Sequence, residues 1–265
     1  MNNKNNQCDR PDLSGLLTIV MPVRIESDER MSNLKAVLHQ VCGLRCRVVL
    51  LEADQQSVLG NMKEMLKNVE YEFVQDLSPV FHRTRYINRL LNEACTEIVA
   101  VWDADILIAY HQVYEAVDNI IKGCTIAYPY NGEFVMLSEV KSDTARRNLD
   151  IENLKSLKLQ STFGRPSCGG VFLVHRKRYF QCGGENEHFT GWGPEDAERL
   201  RRVKILGHCV KWTEEGQAYH LNHSRGKNSN FYSENDAIKL RKEFVKVCSM
   251  EKEELWNYIT GKSWK

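Results

Sequence analysis

The first half of the chain alternates between short apolar runs and amphipathic helical stretches, and that alternation leaves few architectures open. Residues 16–23 (LLTIVMPV) read as a buried strand, 28–41 as a helix, 47–53 (RVVLLEA) as a second strand and 58–69 as a second helix. A third strand is expected at 71–74, a helix at 83–95, a fourth strand at 97–102 (EIVAVW), a helix at 111–122 and a fifth strand at 125–128. Strands separated by helices need crossover connections, which build a mostly parallel α/β sheet flanked by helices. Residues 137–159 are charged and helix-prone and read as a covering insertion. A strand at 170–175 (GVFLVH), a helix at 194–206 opened by a proline, a strand at 210–212 and a final helix or helix pair at 233–258 complete the pattern. No Pro- or Gly-rich linker divides the chain. The expectation is a flexible N-terminus at 1–14, one α/β domain at 15–232, and a helical extension at 233–265 packed on it.

Thirty-six basic against 35 acidic side chains leave a net charge of +1 over 265 residues, so no global field argues for a nucleic-acid partner. The N-terminal residues are polar and Asn-rich, and no run of about eighteen apolar residues occurs, which makes a cytoplasmic setting the expectation. Nine cysteines, an odd number without a framework, fit reduced thiols. Cys42 and Cys46 lack a second Cys/His pair at zinc spacing. The stretch 237–265 mixes basic residues with Ile238, Leu240, Phe244, Val245, Leu255, Trp256 and Trp264. It reads as a packed helix. The sharper alternative is peripheral contact with the inner face of an anionic membrane, which Glu251, Glu253 and Glu254 weaken.

Three clusters carry chemistry. Asp103-Ala104-Asp105 follows the fourth strand, and ligands of open α/β sheets bind outside the carboxyl ends of strands. Carboxylates there suit Mg²⁺ or Mn²⁺, which would neutralise a diphosphate. His220 and His223, three apart, can face one metal and leave three positions on a six-coordinate ion for phosphate oxygens and water. Gly191-Trp192-Gly193-Pro194-Glu195-Asp196 sets a flat apolar ring and two carboxylates where a helix begins, as a sugar-handling site requires. Arg24, Arg83 and Arg85 stand at strand ends and suit phosphate oxygens. Glu52 and Asp54 end the second strand, where an acidic group could meet uracil or ribose.

Taken in order, these segments resemble the β-1,4-galactosyltransferase family, in particular its catalytic half with the GT-A nucleotide-sugar fold. Pro22-Val23-Arg24 is similar to the family's Pro-Phe-Arg turn, and Phe81-His82-Arg83-Thr84-Arg85 to its Phe-Asn-Arg-Ala-Lys segment. Asp103-Ala104-Asp105 stands for Asp-Val-Asp, Gly169-Gly170-Val171 for Gly-Gly-Val, Gly191 to Asp196 for Gly-Trp-Gly-Gly-Glu-Asp, and His220 to Arg225 for Met-Ile-Arg-His-Ser-Arg. The resemblance implies a nucleotide-binding turn at Pro22, Val23 and Arg24, and Arg83 on the diphosphate. It puts Asp103 and Ala104 by ribose and diphosphate, Gly170 at the donor and Trp192 on sugar and diphosphate. Asp105, His220 and His223 become the metal ligands. Asp196 becomes the base of an inverting displacement, with Glu195 holding an acceptor hydroxyl.

The implied cofactor is Mn²⁺. The implied partners are UDP-Gal or UDP-GalNAc and a glycan acceptor, such as a surface polysaccharide. His220 replaces a thioether ligand, which broadens the expected tolerance to Mg²⁺ and Co²⁺. Ser167 replaces a bulky Tyr of galactose-specific members, so UDP-GalNAc is expected to be accepted at least as well as UDP-Gal. Pro194 replaces Gly and Ala197-Glu198 replaces Asp-Asp, which changes the acceptor side. The family's anchor and stem have no counterpart in these residues, which favours a bacterial-type cytosolic member. A retaining GalNAc transferase of related architecture and a non-catalytic nucleotide-sugar or glycan-binding module are the alternatives. Residues 224–235 read as an exposed loop, or as one that closes over bound donor.

Overall fold

A computed structural model describes residues 11–148, 151–157, 159–163, 166–261 and 264. Most of the expected N-terminal tail, residues 1–10, lies outside the described residues. Leu13 is already part of the core, 5% exposed.

The strand at the centre of an α/β sheet is covered on both faces, so it must be apolar at every position rather than at alternate ones. β1 (Leu17–Val23) meets that demand and is buried along its whole length. β2 (Arg47–Asp54) and β4 (Ile98–Trp102) flank it in parallel, and β3 (Glu70–Gln75) extends the sheet beyond β2. β5 (Ile106–Leu107), β6 (Ile126–Tyr128), β7 (Phe134–Met136), β8 (Val171–His175), β9 (Val210–Trp212) and β10 (Ala218–His220) follow. The main sheet has seven strands in the order β3-β2-β1-β4-β8-β6-β9, and β5-β10-β7 form a small second sheet. β8 alone runs against its neighbours β4 and β6. The sheet is therefore mixed and mostly parallel, as the alternation implied.

Helices α1 (Asp28–Val41), α2 (Arg83–Glu93) and α3 (Tyr110–Ile121) serve as crossovers. Ser27 caps α1 by accepting from the Arg30 amide at 3.3 Å, and Asp28 and Glu29 in the first turn favour the helix dipole. The helix expected at 58–69 does not form; the segment is a string of turns. The fully buried Glu52 carboxylate pins the start of this segment, accepting from the Val58 amide at 2.7 Å and Ser57 Oγ at 2.9 Å. Glu52 is thus a structural anchor and Asp54 caps a turn; neither lines the cleft described below.

The insertion expected at 137–159 is two helices, α4 (Glu139–Asn148) and α5 (Ile151–Ser156), rather than one cover. α6 (Arg176–Gln181) follows β8, and α7 (Glu195–Ile205) begins after Pro194, which occupies its N-cap. The C-terminal segment forms α8 (Glu234–Ser249), capped by Ser233, and α9 (Lys252–Thr260). Ala237, Leu240, Val247, Leu255 and Trp264 are buried in their packing against the body of the protein. Among the described residues, no helix is long and apolar enough to cross a membrane.

Candidate active site

The antiparallel β8 makes the site. Because it starts where β4 ends, with Val171 opposite Trp102, the Gly169-Gly170 turn meets the Asp103 turn, and the Asp103 amide donates to Gly170 O at 2.9 Å. Gly170 has φ +81°, and a Cβ there would lie 3.0 Å from Phe134 and 3.1 Å from Ile106. Glycine is required on both counts. The buried Trp102 indole donates to Ile106 O at 2.9 Å and tightens the turn between them.

The small sheet then brings the histidines in. β10 pairs with β5 so that His220 stands opposite Ile106, and the Leu221 amide donates to Asp105 O at 2.8 Å. Asp105 Oδ2 is 3.0 Å from His223 Nε2 and 3.6 Å from His220 Nε2. One ligand atom from each residue lies within 4.8 Å of the others. One carboxylate oxygen and two imidazole nitrogens suit a divalent transition ion. Ser224 O lies 2.9 Å from His223 Nδ1 and orients that ring with Nε2 inward. Asn222, between the histidines, is clamped: its amide donates to Ser142 Oγ of α4 at 2.7 Å, and its carbonyl accepts from Arg146 at 2.6 Å and Asn33 at 3.3 Å. Burial raises the Asp105 pKa, but His220, His223 and Arg30 more than offset it and hold the group at about 2.

These groups line a cleft of about 290 Å³ at the carboxyl ends of β1 and β4. Pro22, Val23, Arg24, Arg83, Asp103 and Ala104 line it on one side, and Trp192, Glu195, Asp196, His220 and His223 elsewhere around it. Neither Gly170 nor Arg85 lines it; the Arg85 side chain is 61% exposed and 3.8 Å from Glu187. Ser167 also does not line the cleft; its carbonyl accepts from the Trp212 indole at 2.9 Å.

The arginines differ in what they have left to offer. Arg24 donates to Ala53 O, Ser78 O and Asp76 Oδ2 at 2.8–3.0 Å, so all its nitrogens brace the wall. Arg83 holds Asp103 Oδ1 from Nε at 3.1 Å and Nη2 at 2.5 Å, while its buried Nη1 has no partner among the described residues. Arg30 was not picked out in the sequence. It reaches the cleft from α1, with Nη1 3.9 Å from Asp105 Oδ2 and Nη2 on Ser229 Oγ. A lone Arg one turn into a helix carries no local signal.

The two carboxylates that open α7 differ sharply. Glu195 is 8% exposed, and its Oε2 has no partner among the described residues. Burial, and then the Asp196 charge, push its carboxyl up to about 8, which favours the protonated form. Asp196 keeps a side chain 32% exposed, with Oδ1 accepting from Arg199 Nη1 at 2.7 Å. Trp192 is 44% exposed, its ring 4.8 Å from Phe231 in an edge contact.

Residues 154–224 match the family model described as the N-terminal domain of galactosyltransferase. That segment holds the Gly169-Gly170 turn, Asp196 and both histidines. Glucosyl-3-phosphoglycerate synthase from Mycobacterium tuberculosis, solved with Mn²⁺, UDP and phosphoglyceric acid, is similar at TM-score 0.51 and 13% identity, over 89% of this chain and 79% of that one. The catalytic domain of Drosophila β1,4-galactosyltransferase 7, solved with xylobiose, is similar at TM-score 0.49 and 17% identity, over 78% of this chain and 71% of that one. No curated protein sequence matches the chain significantly. The fold is that of the GT-A glycosyltransferases. The segment that matches the galactosyltransferase model supplies Trp192, Glu195, Asp196, His220 and His223 to the cleft.

Proposed function

We propose that the protein is a metal-dependent, inverting glycosyltransferase that moves Gal or GalNAc from a UDP-sugar to a glycan hydroxyl. The observation that carries the reading is the Asp105, His220 and His223 cluster sharing one cleft with Asp196. Mn²⁺ and UDP accompany the similar mycobacterial synthase, and a variant of the Drosophila enzyme was solved with manganese, UDP-Gal and xylobiose. A divalent ion on Asp105, His220 and His223 would offset the charge gathering on the departing diphosphate.

Arg83, with one buried N–H unspent, meets the diphosphate from the other side. Asp103, held by Arg83, stands with Ala104 at the ribose, and Pro22, Val23 and Arg24 shape the nucleotide wall. Asp196 removes the proton from the acceptor hydroxyl as its oxygen attacks the anomeric carbon. The bond to UDP breaks on the opposite face, so the centre inverts and no covalent intermediate is needed. Glu195, protonated, donates to an acceptor oxygen, and Trp192 offers its face to the sugar. The catalytic unit is residues 15–232, in a cytoplasmic setting, with 233–265 as its extension. The exposed Ile238, Val245 and Trp256 beside the lysines of α8 could touch an anionic membrane, which co-sedimentation with anionic vesicles would detect.

UDP release measured across donors and monosaccharide acceptors tests the reading. Asp196→Asn is expected to lower kcat by about 10²- to 10⁴-fold, with UDP affinity retained. Retained turnover would remove Asp196 from the mechanism, and NMR of the product anomer separates inversion from retention. Ser167 stands outside the cleft, so its small volume does not choose the donor; turnover with UDP-Gal against UDP-GalNAc decides between the two sugars.

A further inference from the structure

Arg199 lies one helical turn after Asp196 on α7 and is wholly buried. Its guanidinium is committed at three points. Nε and Nη2 donate to Glu185 Oε1 and Oε2 at 2.7 and 2.9 Å, and Nη1 donates to Asp196 Oδ1 at 2.7 Å. The Phe172 ring lies 3.9 Å from the guanidinium carbon. Glu185, its side chain 1% exposed, is itself fixed by the Tyr179 hydroxyl at 2.5 Å. A buried ion pair of this kind adds little net stability over apolar residues of the same size.

Its geometry has a directional consequence. With Glu185 neutralising the guanidinium, Asp196 receives an oriented N–H rather than an unshared cation, so its negative charge is not cancelled. The other carboxylate oxygen, Oδ2, hangs over Gly169, where a Cβ would come within 2.5 Å. One oxygen is tied back, and the other has space only because residue 169 is glycine. The neighbouring pair on the same helix makes the contrast. Arg202 binds Glu198 at 2.7 Å and then the carbonyls of Gly184 and Cys182, and it never reaches the cleft.

The geometry points to Arg199, fixed by Glu185, as a positioning residue that holds the Asp196 carboxylate in the orientation that accepts the acceptor's proton. This rests on the reading of Asp196 as the base. Such a device acts on the chemical step, because a base displaced by an ångström loses alignment while donor and acceptor still bind.

The test compares wild type with Arg199→Lys, the double variant Arg199→Met with Glu185→Met, and Asp196→Asn in the full chain. The readouts are kcat and both KM values from UDP release, and UDP affinity in the presence of Mn²⁺ by calorimetry. The double variant strands no buried charge, and its kcat is expected to fall about 100-fold with KM values and UDP affinity nearly unchanged. Arg199→Lys keeps a cation but cannot span Glu185 and Asp196 as a fork, so its kcat should fall between the two. If the double variant does not fold, Arg199→Lys decides alone: a fall in kcat at constant KM supports the assignment, and an unchanged kcat overturns it. Inactive Asp196→Asn beside fully active Arg199 variants would overturn the positioning role only. An active Asp196→Asn would overturn the base itself.

Discussion

Glu195 and Asp196 are consecutive in the chain yet sit in different electrostatic surroundings. α7 turns Glu195 into the protein and leaves Asp196 partly open to the cleft. Burial places the Glu195 value at about 8, against an ordinary 4.5. Its native form therefore binds the proton more tightly than the unfolded chain, and stability falls as pH rises through that window. Glu195→Gln cannot ionise and escapes the loss. Thermal melts of the free protein should show the variant gaining on wild type from pH 5 to pH 8.5, with no further gain above that. A difference that stays constant with pH would mean Glu195 is already ionised. The acidic pair was legible in the sequence, but its asymmetry was not, because the asymmetry depends on what packs over α7. Arg199 alone left a trace, as a residue three places from Asp196 on a helix.

At the scale of elements, the strand-to-helix rhythm was readable because runs such as β1, β2, β4 and the first helices are long enough to show their period. β5, β7 and β10, two or three residues each, are too short for any period, and they set the metal cluster by register. The segment 58–69 has helical spacing but folds as turns whose start is tied to the Glu52 side chain, a contact that the local pattern does not encode. The meeting of β4 and β8 supplies a test. Gly170→Ala would force a side chain into a positive φ and against Phe134 and Ile106, at a cost of about 1–3 kcal/mol. Melting should fall by several degrees, and turnover should drop further than stability explains, because the strained turn displaces the carbonyl that accepts from the Asp103 amide. An Ala variant with wild-type melting would show that the turn is not constrained.

For the whole molecule, the cleft gathers groups from β1, α1, α2, the turn after β4, α7 and the segment after β10, so ligand binding couples distant parts of the chain. A ligand held at 100 times its Kd stabilises the native state by about 2.7 kcal/mol. Saturating Mn²⁺ with UDP is expected to raise Tm, and Asp105→Asn should abolish the Mn²⁺-dependent part. A Tm shift that survives in Asp105→Asn would place the metal elsewhere.

By itself the sequence determined the α/β alternation, the strand ends that open the cleft, and the residue types of the chemistry, because periodicity and short motifs are local properties. Folding settled which groups share a space: Arg24 spent on the wall, Arg83 with one N–H unspent, Arg30 beside Asp105, Glu195 buried, and Arg199 fixed by Glu185. Those outcomes depend on burial and on contacts between residues far apart in the chain, and no local pattern encodes either.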